Sequence, residues 1–141
     1  MVALKVERVD TWAASIEDKA GSLAAKLNAL AGAGVNLEFV IARRTPERAG
    51  SGVVFAAPIK GSAGCSAARK AGFDKTESLH TVRVEGPDKP GQGAKIAQAL
   101  AEKGLNLRGF SGTALGTKFV AYIAFDTSED AVKALRVVKG L

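Results

Sequence analysis

Asp18-Lys19-Ala20-Gly21 returns along the chain as Asp88-Lys89-Pro90-Gly91, and Gly34-Val35-Asn36-Leu37 returns as Gly104-Leu105-Asn106-Leu107. Both returns share one register, since 88 less 18 and 106 less 36 each give 70. Two separated matches at one offset identify a duplication. Between the matched ends Leu23, Leu27 and Leu30 fall at helical spacing, and Ile96, Ala97, Leu100 and Ala101 form the comparable stripe in the second copy. Asp18 and Asp88 precede these helices and are expected to cap them. Gly34 and Gly104 stand where a left-handed residue would end them.

Working outward, a strand precedes each helix. Trp12, Ala14 and Ile16 alternate with Ala13, Ser15 and Glu17, as Val82 and Val84 alternate with Thr81, Arg83 and Glu85. Two further strands follow each helix, predicted at 37–42 and 53–57 in the first copy and at 107–111 and 119–125 in the second. Aligning Gly52 with Lys118 makes the second hairpin four residues shorter. A second helix is expected at about 64–71 and again at about 129–139, each closed by a glycine, Gly72 or Gly140. The order strand, helix, strand, strand, helix, completed by one more strand, is the split βαβ arrangement of the ferredoxin-like fold. Sequence for that last strand is present only in the first copy, around 73–78, because Leu141 follows directly on Gly140. The expectation is an α+β chain of two ferredoxin-like modules, 1–78 and 79–141, the second lacking its last strand, paired through their sheets. An unpaired sheet edge is an association hazard. The second copy's edge should therefore be closed by residues 2–6 or by a partner strand in a homodimer.

Composition narrows the function classes. Apolar residues at 47% and charged residues at 24% describe a globular chain able to bury a core. The apolar runs 53–59 and 119–125 are too short to span a membrane, and the first seven residues lack a signal-peptide core, so a cytoplasmic protein is predicted with no membrane association. Cys65 is the lone cysteine and His80 the lone histidine. There is thus no intrachain disulfide, no metal-ligand spacing and no nucleophile–base constellation. His80 is expected at a linker or strand start without a chemical role, and Cys65 as a packed residue on a helix. No cofactor is implied. The net charge of +6 is spread among acids instead of clustered, and Phe119 and Phe125 share a strand face that Tyr122 does not. Both points argue against nucleic acid as a partner.

An Asp-x-Pro-Gly loop opening a helix, followed by Gly-(Val/Leu)-Asn-(Leu/Ile) opening a strand, resembles the ACT domain, and the likeness extends over nearly all of both repeats. The second copy carries the fuller motif. Ala20 replaces the family's usual Pro in the first, and Gly93 stands in the second where Leu23 keeps the usual leucine. The resemblance implies a regulatory module that binds an amino acid between paired modules and passes its state to a metabolic enzyme or other regulator. It does not imply an enzyme. A protein-interaction scaffold or a regulatory subunit with no ligand of its own is the alternative.

The residues fit such a site. The backbone amides of Gly21 and Ser22, and of Gly91 and Gln92, lie at the positive ends of the first helices, where a ligand carboxylate is favoured. Asp18 and Asp88 can receive an ammonium group, with Lys19, Ala20, Lys89, Pro90 and Gly93 completing the loops. Asn36 and Leu37, like Asn106 and Leu107, open the next strand a full helix away. They reach a ligand only if modules pair by their second strands, which places Asn106 at the Asp18 loop and Asn36 at the Asp88 loop.

Overall fold

The computed structural model describes residues 4–141. The elements are β1 Lys5–Glu17, α1 Ser22–Gly32, β2 Phe39–Arg44, β3 Ser51–Ala57, α2 Gly61–Lys70, β4 Asp74–Pro87, α3 Gln92–Glu102, β5 Gly109–Leu115, β6 Lys118–Phe125 and α4 Ser128–Lys139. They form two compact units. The first is Asp10–Thr76; the second joins the chain up to Val9 with Glu77–Leu141. β1 and β4 contribute a stretch to each.

In the first unit the strands run in the order β2-β3-β1-β4. Period-two alternation decides what is buried: Trp12 and Ala14 of β1 and Val54 and Ala56 of β3 point to one face. They meet Leu30 of α1, Ala68 of α2, Ile59 and Phe73, with Leu23, Val35 and Leu37 packed around them. Trp12 lies beneath the Arg69 guanidinium, 5.3 Å from its ring, and the Lys75 ammonium, 5.9 Å away. Gly34 ends α1 at φ 79°, which lets the Val35 amide turn back to the Leu30 carbonyl at 3.1 Å. This is the glycine stop read from the sequence. Cys65 packs beside the same core with its thiol toward the Ile59 carbonyl.

The second unit repeats the plan with strands ordered β5-β6-β4-β1. Val82, Val84, Ala121, Ile123 and Phe125 bury against Ile96 and Leu100 of α3 and Ala131, Ala134 and Val138 of α4. The last place in this unit's sheet, beside β4, is held by residues 5–9 of β1. Val6 is buried in this core, Glu7 approaches Arg83 at 3.8 Å, and Leu4 packs onto Gly86. Of the stretch 2–6 expected to close the edge, Val2 and Ala3 lie outside the described residues.

Two details correct the sequence reading. Arg44 stands opposite Gly52, and Ala114 opposite Phe119. Position 52 therefore answers to 119, an offset of 67 instead of 66, and the second hairpin is shorter by three residues. The turn glycines Gly50 and Gly116 both have positive φ but stand 66 apart, so they do not mark the strand register. His80 is inside β4, opposite Phe125, because residues 74–80 continue the strand that carries Val82 and Val84.

If Val6 supplies core to the second unit, Val6→Asp should lower the unfolding free energy by about 2–4 kcal/mol, since it removes a buried side chain and buries a charge. The exposed neighbour change Lys5→Ala should shift it by less than about 0.5 kcal/mol. Urea unfolding followed by circular dichroism checks both; equal stability of the two variants would refute the role of this strand.

Candidate functional site

The turn from β1 into α1 carries a surface recess of about 700 Å³, entirely within the first unit. Its wall is Ser15, Ile16 and Glu17 from the end of β1, Lys19, Ala20, Gly21 and Ser22 from the loop, Ala25 and Lys26 from α1, and Ser51 from β3. The loop can make this bend because Gly21 adopts φ 90°, a conformation that costs residues with a Cβ.

The anticipated aspartate caps are not formed. The residue before α1 is Gly21 and the residue before α3 is Gly91, and no side chain caps either helix. Asp18 stands three residues too early: its amide donates to the Gly50 carbonyl at 2.9 Å, and its carboxylate accepts from Arg44 Nε at 2.8 Å. That ion pair ties the loop to the end of β2 and turns Asp18 away from the recess. Ala114 holds the position of Arg44 in the second copy, so the pair has no counterpart. Asp88 keeps only the backbone half of the arrangement, its amide donating to the Thr117 carbonyl at 2.9 Å.

The acid that lines the recess is Glu17, which sequence reasoning missed. Its carboxylate lies 2.8 Å from Lys19 Nζ, both groups being exposed. The Lys19 hydrogen bond, and then its charge, lower the Glu17 pKa, and the same pairing raises that of Lys19. Ser15, Lys26 and Ser51 were also missed. Glu17 answers to Pro87 and Lys26 to Ile96, so the repeat gave no signal at either position. Lys26 Nζ donates to the Ala71 carbonyl, bracing α1 against the last turn of α2, where a cation also offsets the helix dipole. The helix leaves the amides of Leu23 and Ala24 without an intrahelical acceptor. The recess itself is lined at the helix start by Gly21 and Ser22, with Glu17 in the same wall.

Of the residues expected to bind ligand, the structure gathers Lys19, Ala20, Gly21 and Ser22 at the recess. Asn36 and Asn106 are exposed at the far ends of α1 and α3. Leu37 and Leu107 turn inward and pack against the cores of their units. In the second copy Lys89, Pro90 and Gly91 are exposed, while Gln92 folds back so that Nε2 donates to the Pro87 carbonyl at 2.9 Å. Gly93 lies beside the Phe110 ring, a Cβ placed there being in ordinary contact with it at 3.7 Å. No group of three metal-ligating side chains occurs among the described residues, and no helix there is long and apolar enough to cross a membrane.

No family model and no curated protein matches this sequence. Solved structures do. A protein from Bacteroides thetaiotaomicron superposes with a TM-score of 0.75 at 19% identity, over 96% of this chain and 88% of that one. The ligand-free regulatory subunit of aspartate kinase from Thermus thermophilus gives 0.63 at 21% identity, over 97% and 93%. The corresponding subunit from Thermus flavus gives 0.59 at 20%, over 97% and 94%. At these identities the likeness establishes the fold, an α+β architecture shared with regulatory subunits of aspartate kinase.

The Glu17–Lys19 pair makes a measurable prediction. Because the folded pKa of Glu17 is lowered, its contribution to stability is present above the unfolded pKa and fades as pH falls through the folded value. Because that of Lys19 is raised, its contribution is present below the unfolded pKa and fades as pH rises through the folded one. Full exposure keeps both contributions small. In an NMR titration the Glu17 carboxyl should therefore have a midpoint below the ordinary glutamate value, and Lys19→Ala should move it back up. An unchanged midpoint in that variant would mean the pair does not persist in solution.

Proposed function

We propose that this chain is a regulatory protein of the ACT type, built from two tandem ferredoxin-like modules, and that it binds a free amino acid in the recess at the β1–α1 turn. The observation that carries this reading is the recess itself, which Glu17 lines together with Gly21 and Ser22 of the helix start. A ligand α-carboxylate sits at the backbone of Gly21 and Ser22, at the positive end of α1. Its ammonium group meets Glu17, displacing Lys19. Asp18 serves the site indirectly, holding the loop through Arg44. Resemblance to subunits described as regulatory supports the absence of catalysis.

A homodimer completes the site. β2 and β5 are the outer strands of their units, and Val40 and Phe110 on them are exposed apolar residues. Antiparallel pairing of β2 with β5 of a second chain would carry the second chain's Asn106 toward the Asp18 loop. α1 has eleven residues, about 16 Å of helix, so Asn36 of the same module stays out of reach. The regulated partner is a metabolic enzyme or another regulator to which the liganded dimer binds.

Isothermal titration of the twenty amino acids, one at a time, is the test. At least one should bind, and Glu17→Gln should weaken it by about five- to a hundredfold, the cost of losing a charged hydrogen bond. Asn106→Ala should weaken the same binding about fivefold or more. No binding at millimolar concentration of any amino acid would remove the sensing reading and favour a ligand-free interaction scaffold.

A further inference from the structure

The two copies share a loop but treat it differently. The recess of the first is walled by Ile16 and Ser22, whose counterparts at an offset of 70 are Gly86 and Gln92. At Gly86 the volume that a side chain would occupy is filled from elsewhere in the second unit. A Cβ built there would lie 2.3 Å from Leu4 Cδ2 and 3.6 Å from Gln92 Nε2. Gln92 in turn bridges the start of α3 and the end of β4 through its bond to the Pro87 carbonyl. Its carboxamide is a polar donor placed against a strand-end carbonyl, where a ligand ammonium would otherwise come. Two of the chain's own side chains, Leu4 and Gln92, thus converge on the second copy's loop, whereas short Ser22 leaves the equivalent space of the first open.

We propose that the second copy is sealed by Leu4 and Gln92, so that each chain takes a single ligand, at the Asp18–Ser22 turn, and the Asp88 loop serves as scaffold. This rests on the amino-acid-binding reading for its ligand and adds the stoichiometry and the location. Both shape and chemistry support it. Leu4 occupies the volume that glycine leaves at position 86, and the Gln92 carboxamide lies across the end of β4 beside it.

The test uses the full chain and the same panel of twenty free amino acids. For any that binds, titration should give one equivalent per chain, with binding weakened in Glu17→Gln and unchanged in Asp88→Ala. Two equivalents per chain, or a single event lost in Asp88→Ala and retained in Glu17→Gln, would overturn the assignment while leaving amino-acid binding intact. If none of the twenty binds, the sensing reading falls, and the seal is decided separately by NMR. A sealed loop should exchange the Gln92 carboxamide protons at least about tenfold more slowly than the Leu4→Ala variant does. Equal exchange in the two proteins would show that nothing closes the loop.

Discussion

The backbone of β4 needs partners on both sides, and the way its second edge is met organises the second unit. Unpaired strand edges expose rows of donors and acceptors that water or another chain must satisfy. Here β6 lies on one side and β1 on the other. The stretch 5–9 supplies more than hydrogen-bonding groups, because Val6 also closes the core formed with Val82, Val84 and Ile96. Leu4 fills the position vacated at Gly86. The N-terminal stretch is therefore part of the second unit's interior, and β1 divides its length between a Val6 that belongs to one core and a Trp12 that belongs to the other.

Interiors are filled to high density, and the duplicated halves show how the same plan is filled differently. Leu23 and Val40 answer to Gly93 and Phe110, where the glycine lies beside the ring. Ile16 carries its own side chain, while Gly86 borrows that of Leu4. Lys26 reaches the Ala71 carbonyl, whereas Ile96 at the matching place is wholly buried. The last exchange alone changes charge, and it puts a cation in the wall of the first copy's recess.

What was legible in the chain follows from which signals are local. Gly34 and Gly104 could be read as helix stops because a left-handed residue needs no distant partner, and both have positive φ. The alternation around Trp12 and Val82 showed the strands for the same reason. The hairpin register is not legible in the same way, because the turn glycines Gly50 and Gly116 stand 66 apart while pairing, fixed by contacts along the whole strand, runs at 67. Asp18 was expected to cap α1 because aspartate before a helix commonly does. Arg44, 26 residues away, claims its carboxylate instead, and sequence spacing carries no trace of that pair. Glu17 escaped notice because a site was sought in what the copies share, and this residue is one that they do not.

Chemical meaning at the β1–α1 turn comes from combination. A helix start without a side-chain cap is not unusual among the described residues: α2 lacks one as well, whereas α4 is capped by Thr127, which accepts from the Asp130 amide at 3.1 Å. α4 also carries Glu129 and Asp130 in its first turn, which offset its dipole. An uncompensated helix start marks a site only where a concavity and a complementary group accompany it. At α1 both are present, the recess and Glu17. At α3 the side chain of Gln92 lies across the equivalent place. The motif thus stands twice in the sequence, while the recess of the first copy is walled in part by Glu17, Lys26 and Ser51, residues that the motif does not include.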